Sequence, residues 1–177
     1  MIKKNGILLI LLVLNSCSIF DEPETGVEKL PPITQTGRWS FGCLVNGKAV
    51  RITNSSLMRA ETQQDVFIIR FTKTVDNKLW AENLKQFEFR MTDPLEIGIE
   101  YDLTNAGIYK LQYIEYLNDM PNCIYEPENI TSGTLTFSNI DRINHIVSGT
   151  FEFETVTQDC DTIRVTDGRF DLRYYPY

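Results

Sequence analysis

The 177-residue chain contains a single histidine, His145, in the stretch DRINHIV. Hydrolysis by a serine or cysteine nucleophile needs a base beside the attacking atom, and a lone histidine among turn-forming residues reads as an exposed turn residue instead. No HExxH, paired CxxC or glycine-rich phosphate loop occurs, so the familiar zinc and nucleotide signatures are absent. Carboxylates are the other candidates. Asp159 and Asp161 flank Cys160, with Asp167 and Asp171 close behind, and carboxylates grouped in loops suit a hard cation. Their spacing fits no EF-hand loop and reads as solvated turn acids. Glu152 and Glu154 alternate with Phe151 and Phe153, which assigns them to a wet sheet face. Hydrolysis by a pair of carboxylates stays open as chemistry, but spacing selects no two acids from the 24 Asp and Glu present. The sequence nominates no catalytic residue, no metal site and no cofactor.

Eight tyrosines and two tryptophans supply amphipathic rings that serve both cores and faces contacting carbohydrate or protein. Tyr113, Tyr116 and Tyr125, near the loop at Met120 and Pro121, form one candidate ligand face. Trp80 is grouped with them, its other reading being a plug at a sheet edge. The terminal Tyr174, Tyr175 and Tyr177 are further candidates for such a patch. Among the cysteines, Cys43 in RWSFGCLVNG shares a face with Trp39, Phe41 and Val45 and reads as a buried core thiol. Cys123 in NDMPNCIYE and Cys160 in TQDCDT stand in turn-like stretches where pairing geometry is attainable. A Cys123 to Cys160 disulfide is one expectation; reduced thiols and the other pairings are the alternatives.

Cys17 differs from these three. Lys3 and Lys4 precede an unbroken apolar run over residues 7–14, the layout of an export signal, and the run is far shorter than the roughly 20 residues needed to cross a bilayer. Leu14, Asn15, Ser16 and Cys17 then resemble the lipobox of bacterial lipoproteins. The resemblance implies that the signal, residues 1–16, is cut away and that Cys17 carries lipid. A thiolate is a good nucleophile at modest pH, and two or three acyl chains hold where one binds only reversibly. Residues 17–37, with Pro23, Pro31, Pro32, Gly26 and Gly37, read as a flexible acidic spacer. Asp21, Glu22 and Glu24 resemble the signal that sends some Bacteroidota lipoproteins to the outer face of the outer membrane, which favours the cell surface over the periplasmic face.

Residues 38–177 have the size of one domain. Without Lys3 and Lys4 the formal charge of −7 becomes about −9, a sign that disfavours nucleic acid, where affinity comes from neutralising phosphates. Period-2 alternation dominates, as in VFIIRFTK, QFEFRM and IVSGTFEFETV. TIRVTDGRFDLRYY reads as two strands broken by a turn at Asp167 and Gly168, and 78–86 (KLWAENLKQ) as a short helical piece. The expected fold is all-β, a single antiparallel β-sandwich or an up-and-down β-barrel of about nine strands.

GRWSFGCLVNGKAV, SGTLTFSNID, IVSGTFEFETV and TIRVTDGRFDLRY, in that order, resemble a family of small Bacteroidota lipoproteins catalogued as a domain of unknown function. The resemblance implies export, lipidation and an all-β domain; Val50 stands where that pattern usually offers a tryptophan. The glycines of the two SGT strands suit bulges or close backbone approach, so these motifs read as determinants of fold. The resulting expectation is a non-catalytic envelope lipoprotein, a binding or accessory module held to the outer membrane by lipid, with a glycan or envelope protein as partner and no nucleic acid. The alternatives are a carboxylate-dependent envelope hydrolase acting on glycan or peptide, and a purely structural envelope protein.

Overall fold

The computed structural model describes residues 26–74, 84–92, 94–118 and 120–176. Cys17, Trp80 and most of the short helical piece expected around it lie outside the described residues. Eleven strands are described: β1 (Ser40–Val45), β2 (Lys48–Ile52), β3 (Met58–Gln63), β4 (Val66–Lys73), β5 (Lys85–Thr92), β6 (Glu100–Asp102), β7 (Lys110–Leu117), β8 (Met120–Tyr125), β9 (Ile130–Asp141), β10 (Ile146–Thr155) and β11 (Ile163–Arg173). They form a six-stranded sheet in the order β2-β1-β11-β10-β9-β6 and a five-stranded sheet in the order β3-β4-β5-β7-β8. All pairings within the two sheets are antiparallel. The fold is thus a sandwich and not a closed barrel.

Alternation explains the layers. Ala60, Ile69, Phe89 and Leu111 lie in register across four strands of the smaller sheet, and each is fully buried. Their neighbours point the other way, where the Glu88 carboxylate accepts hydrogen bonds from Arg70 and Arg90, both at 2.6 Å. Between the sheets the rings form a continuous cluster, with Phe41 4.0 Å from Phe71 and Phe151 5.0 Å from Phe89, centroid to centroid. Pairs of this kind add about 1 kcal/mol each beyond the area they bury. Cys43 is fully buried in this core, and burial pushes its thiol pKa up, the Lys85 charge countering only in part.

Two expectations need correcting. Asp167 and Gly168 do not end a strand, because β11 runs through them. Phe151 of β10 pairs with Gly168 but Phe153 pairs with Val165, so β11 carries one extra residue, a bulge with Asp167 at φ 54°. Bulges and tight turns use the same residues for the same reason, a need for positive φ.

The second correction concerns the segment read as a flexible spacer over 17–37. From Leu30 onward it lies on the outer face of the larger sheet as a strap. Leu30 is buried, the Pro31 carbonyl accepts from Arg169, and Gln35 exchanges hydrogen bonds with Ser138 and Asn139. Its main fastening is Asp171, only 1% exposed. That carboxylate accepts from Thr34 Oγ1 (2.6 Å), Ser148 Oγ (2.8 Å) and the backbone N–H groups of Thr36 (3.0 Å), Gly37 (2.7 Å) and Arg38 (3.2 Å). Among the described residues, packing onto the sandwich therefore begins near residue 30, not 38.

Cys123 of β8 and Cys160 of the loop after β10 are joined, with Cα atoms 6.1 Å apart. The bridge links the two sheets and closes a loop between residues 37 positions apart. By loop entropy, replacing both cysteines with alanine is expected to lower stability by about 4 kcal/mol. A denaturant titration of the oxidised protein beside the double variant checks this.

Candidate functional site

The expected tyrosine face is not a face. Tyr113 and Tyr125 are fully buried, since both occupy inward positions of strands β7 and β8. Tyr113 donates to Glu115 at 2.7 Å and Tyr125 to the Asp161 carbonyl at 2.7 Å, which is how buried phenols satisfy their hydroxyls. Burial raises both phenol pKa values, with the Glu115 charge adding to it. Tyr116 is half-buried opposite Pro121.

The acidic residues near Cys160 also separate. Asp159, Asp161 and Asp167 are exposed while Asp171 is committed to the strap, and the described residues contain no group of three or more His, Cys, Asp or Glu arranged to hold a metal ion. His145 is half-buried, its ring against the edge of Tyr174 at 5.3 Å, rather than standing free in a turn.

A cleft of about 250 Å³ is walled by Glu88, Arg90, Lys110, Gln112 and Glu126, and two larger concavities lie elsewhere among the described residues. One, of about 300 Å³, lies beneath Ile33 of the strap, where the outward residues Glu100, Thr136, Thr150 and Arg169 line up across β6, β9, β10 and β11 with Glu152 beside them. The other is built on β3 and gathers aromatic rings. It starts from Asp171, whose hold on three successive backbone N–H groups sets the turn at residues 36–38 immediately before Trp39. Trp39 takes φ 56°, uncommon for a bulky side chain, and sits half-buried against the core margin.

At the other end of the chain, Tyr174 enters the core, so by alternation Tyr175 turns outward, 56% exposed. The Tyr175 backbone pairs in parallel beside β3, donating to the Ala60 carbonyl (3.0 Å) and accepting from the Thr62 N–H (3.1 Å). Trp39 and Tyr175 thus line one groove of about 530 Å³ with Ser55, Ser56, Met58 and Arg59. Arg59 also lines the adjoining recess, which continues along the strand past Glu61, Gln63 and Gln64.

Glu61 organises the polar half. It is 3% exposed and accepts from Arg59 Nε at 2.7 Å and from Gln63 Nε2 at 3.1 Å. Sequence reading missed this strand because MRAETQ puts a weak apolar face, Met58, Ala60 and Thr62, against an outward row that includes a buried acid. The period-2 recurrence of Arg59, Glu61 and Gln63 was the available signal.

No protein-family model matches the chain, and neither the curated proteins nor the solved structures contain a match to it.

Proposed function

We propose that this chain is a lipid-anchored, non-catalytic protein of the cell envelope whose sandwich serves as a binding module at the outer membrane, with the cell-surface face favoured. The observation that carries the binding half is the groove on β3, where two aromatic side chains from opposite ends of the chain meet polar groups already held in place. The anchoring half rests on Cys17 and the export signal before it, and agrees with the resemblance to small Bacteroidota lipoproteins. Cys17→Ala is expected to move the protein from the membrane fraction to the soluble fraction or to leave its signal uncut. Fractionation and the mass of the mature chain check this, and an unaltered protein already found soluble would overturn the anchor. Protease shaving of intact cells reads which face carries the domain.

A second reading, a carboxylate-dependent hydrolase, draws on Glu100 and Glu152 lining one cleft. It requires bond cleavage by the wild-type protein that Glu152→Gln abolishes, measured as released reducing ends or new peptide termini.

A further inference from the structure

We infer that the groove along β3 is a glycan-binding site that takes a neutral oligosaccharide chain; the inference rests on the binding-module reading and names its ligand class. A sugar ring presents an apolar C–H face and a rim of hydroxyls, each both donor and acceptor. The groove offers the complement in the same order. Trp39 and Tyr175 supply flat apolar surface with polar edges. Arg59 and Gln63 supply planar groups that can meet neighbouring hydroxyls, with Glu61 buried beneath them as their fastening. Because Glu61 already holds Arg59 and Gln63, little side-chain freedom is lost on binding, which is where affinity for such weakly desolvating ligands is usually forfeited.

Two observations argue against other occupants. An extended peptide would be expected to add itself to the free edge of β3 through main-chain hydrogen bonds, but the Ala60 carbonyl and Thr62 N–H on that edge are already taken by Tyr175. The ligand must therefore be read by side chains. A polyanion is disfavoured because the chain is net acidic at −7 and Arg59 is neutralised by Glu61 at 2.5 Å. The left-handed backbone of Trp39 is a further sign, since conformations of this kind cost of order 1–3 kcal/mol and concentrate at ligand-contacting positions.

The mature chain would be titrated by calorimetry with maltohexaose, cellohexaose, xylohexaose and mannohexaose, each up to 10 mM as an experimental ceiling of about that size. At least one is expected to bind, and Trp39→Ala and Tyr175→Ala are each expected to weaken it by about tenfold or more. Trp39 also touches the core, so Tyr175→Ala and Gln63→Ala, at outward positions, keep the test sound if Trp39→Ala melts early. Absence of heat with all four sugars overturns the glycan assignment, as does wild-type affinity in Tyr175→Ala and Gln63→Ala. A synthetic β-strand peptide that binds where the sugars do not would overturn the glycan assignment while leaving the binding-module reading intact. Failure of that broader reading would show differently, as hydrolysis of a sugar or peptide probe.

Discussion

Gly168→Ala is expected to lose about 4 kcal/mol of folding stability, the upper end for overpacking, seen as a lower denaturant midpoint at unchanged slope. Gly168 lies opposite Phe151 at the β11 bulge. A Cβ there would meet the Phe151 carbonyl oxygen and would stand 2.6 Å from two carbons of its ring. The oxygen belongs to the sheet ladder and the ring to the central aromatic cluster, 5.0 Å from Phe89, so neither can yield without disturbing the core. Gly149 is similarly crowded, 2.6 Å from the Thr136 carbonyl and 2.7 Å from the Phe170 ring. Gly47→Ala supplies the contrast, because that glycine has positive φ but no neighbour within 4 Å and should cost only about 1 kcal/mol. Equal losses at Gly47 and Gly168 would refute the packing account.

Asp171→Ala is expected to cost about 4 kcal/mol, because hydrogen bonds to a charged group are each worth more than neutral ones and removal orphans several buried donors at once. Asp171→Asn should recover little, since its amide would point N–H groups at N–H donors. Burial by itself would raise the Asp171 pKa, but the hydrogen bonds from Thr34, Thr36, Gly37 and Ser148 outweigh it and hold the pKa below the ordinary carboxyl value. A carboxyl depressed in the folded state adds stability that is complete above its unfolded pKa, about 4, and is lost as pH falls through the lower folded value. Wild-type protein should therefore weaken below about pH 4, and the part of that slope due to Asp171 should vanish in Asp171→Asn. Thermal melts from pH 2.5 to 7, a range set by about the carboxyl titration, read both. Trp39 depends on the turn that Asp171 sets, so the same variant should also weaken any ligand of the β3 groove.

Where one face of a strand is uniformly apolar, the sequence alone identifies it. VFIIRFTK and QFEFRM are β4 and β5, and the glycines of both SGT stretches lie inside strands β9 and β10. The failures have specific causes. β8 carries Pro121 on an outer strand, which local rules demote, and β3 buries an acid on its outward side. The strap looks like a linker because its prolines do keep it extended; what docks it is a carboxylate 137 positions away from Thr34, and no local window contains both. Of the tyrosines the sequence offers as a ligand face, alternation turns Tyr113, Tyr125 and Tyr174 inward. Tyr175, also nominated by the sequence, faces out for the same reason, but its meeting with Trp39 is decided by the C-terminal segment crossing from β11 to β3, a long-range event.

The strap also has a mechanical meaning. Were the anchor proposed at Cys17 to be pulled, the load would meet Leu30, Pro31 and the Asp171 cluster before it reached the hydrogen-bond ladder of β1. The five bonds to Asp171 would act as a fuse, yielding under load while the sandwich behind them stayed whole. Because those bonds set the turn that presents Trp39, a pull on the strap would be felt at the groove.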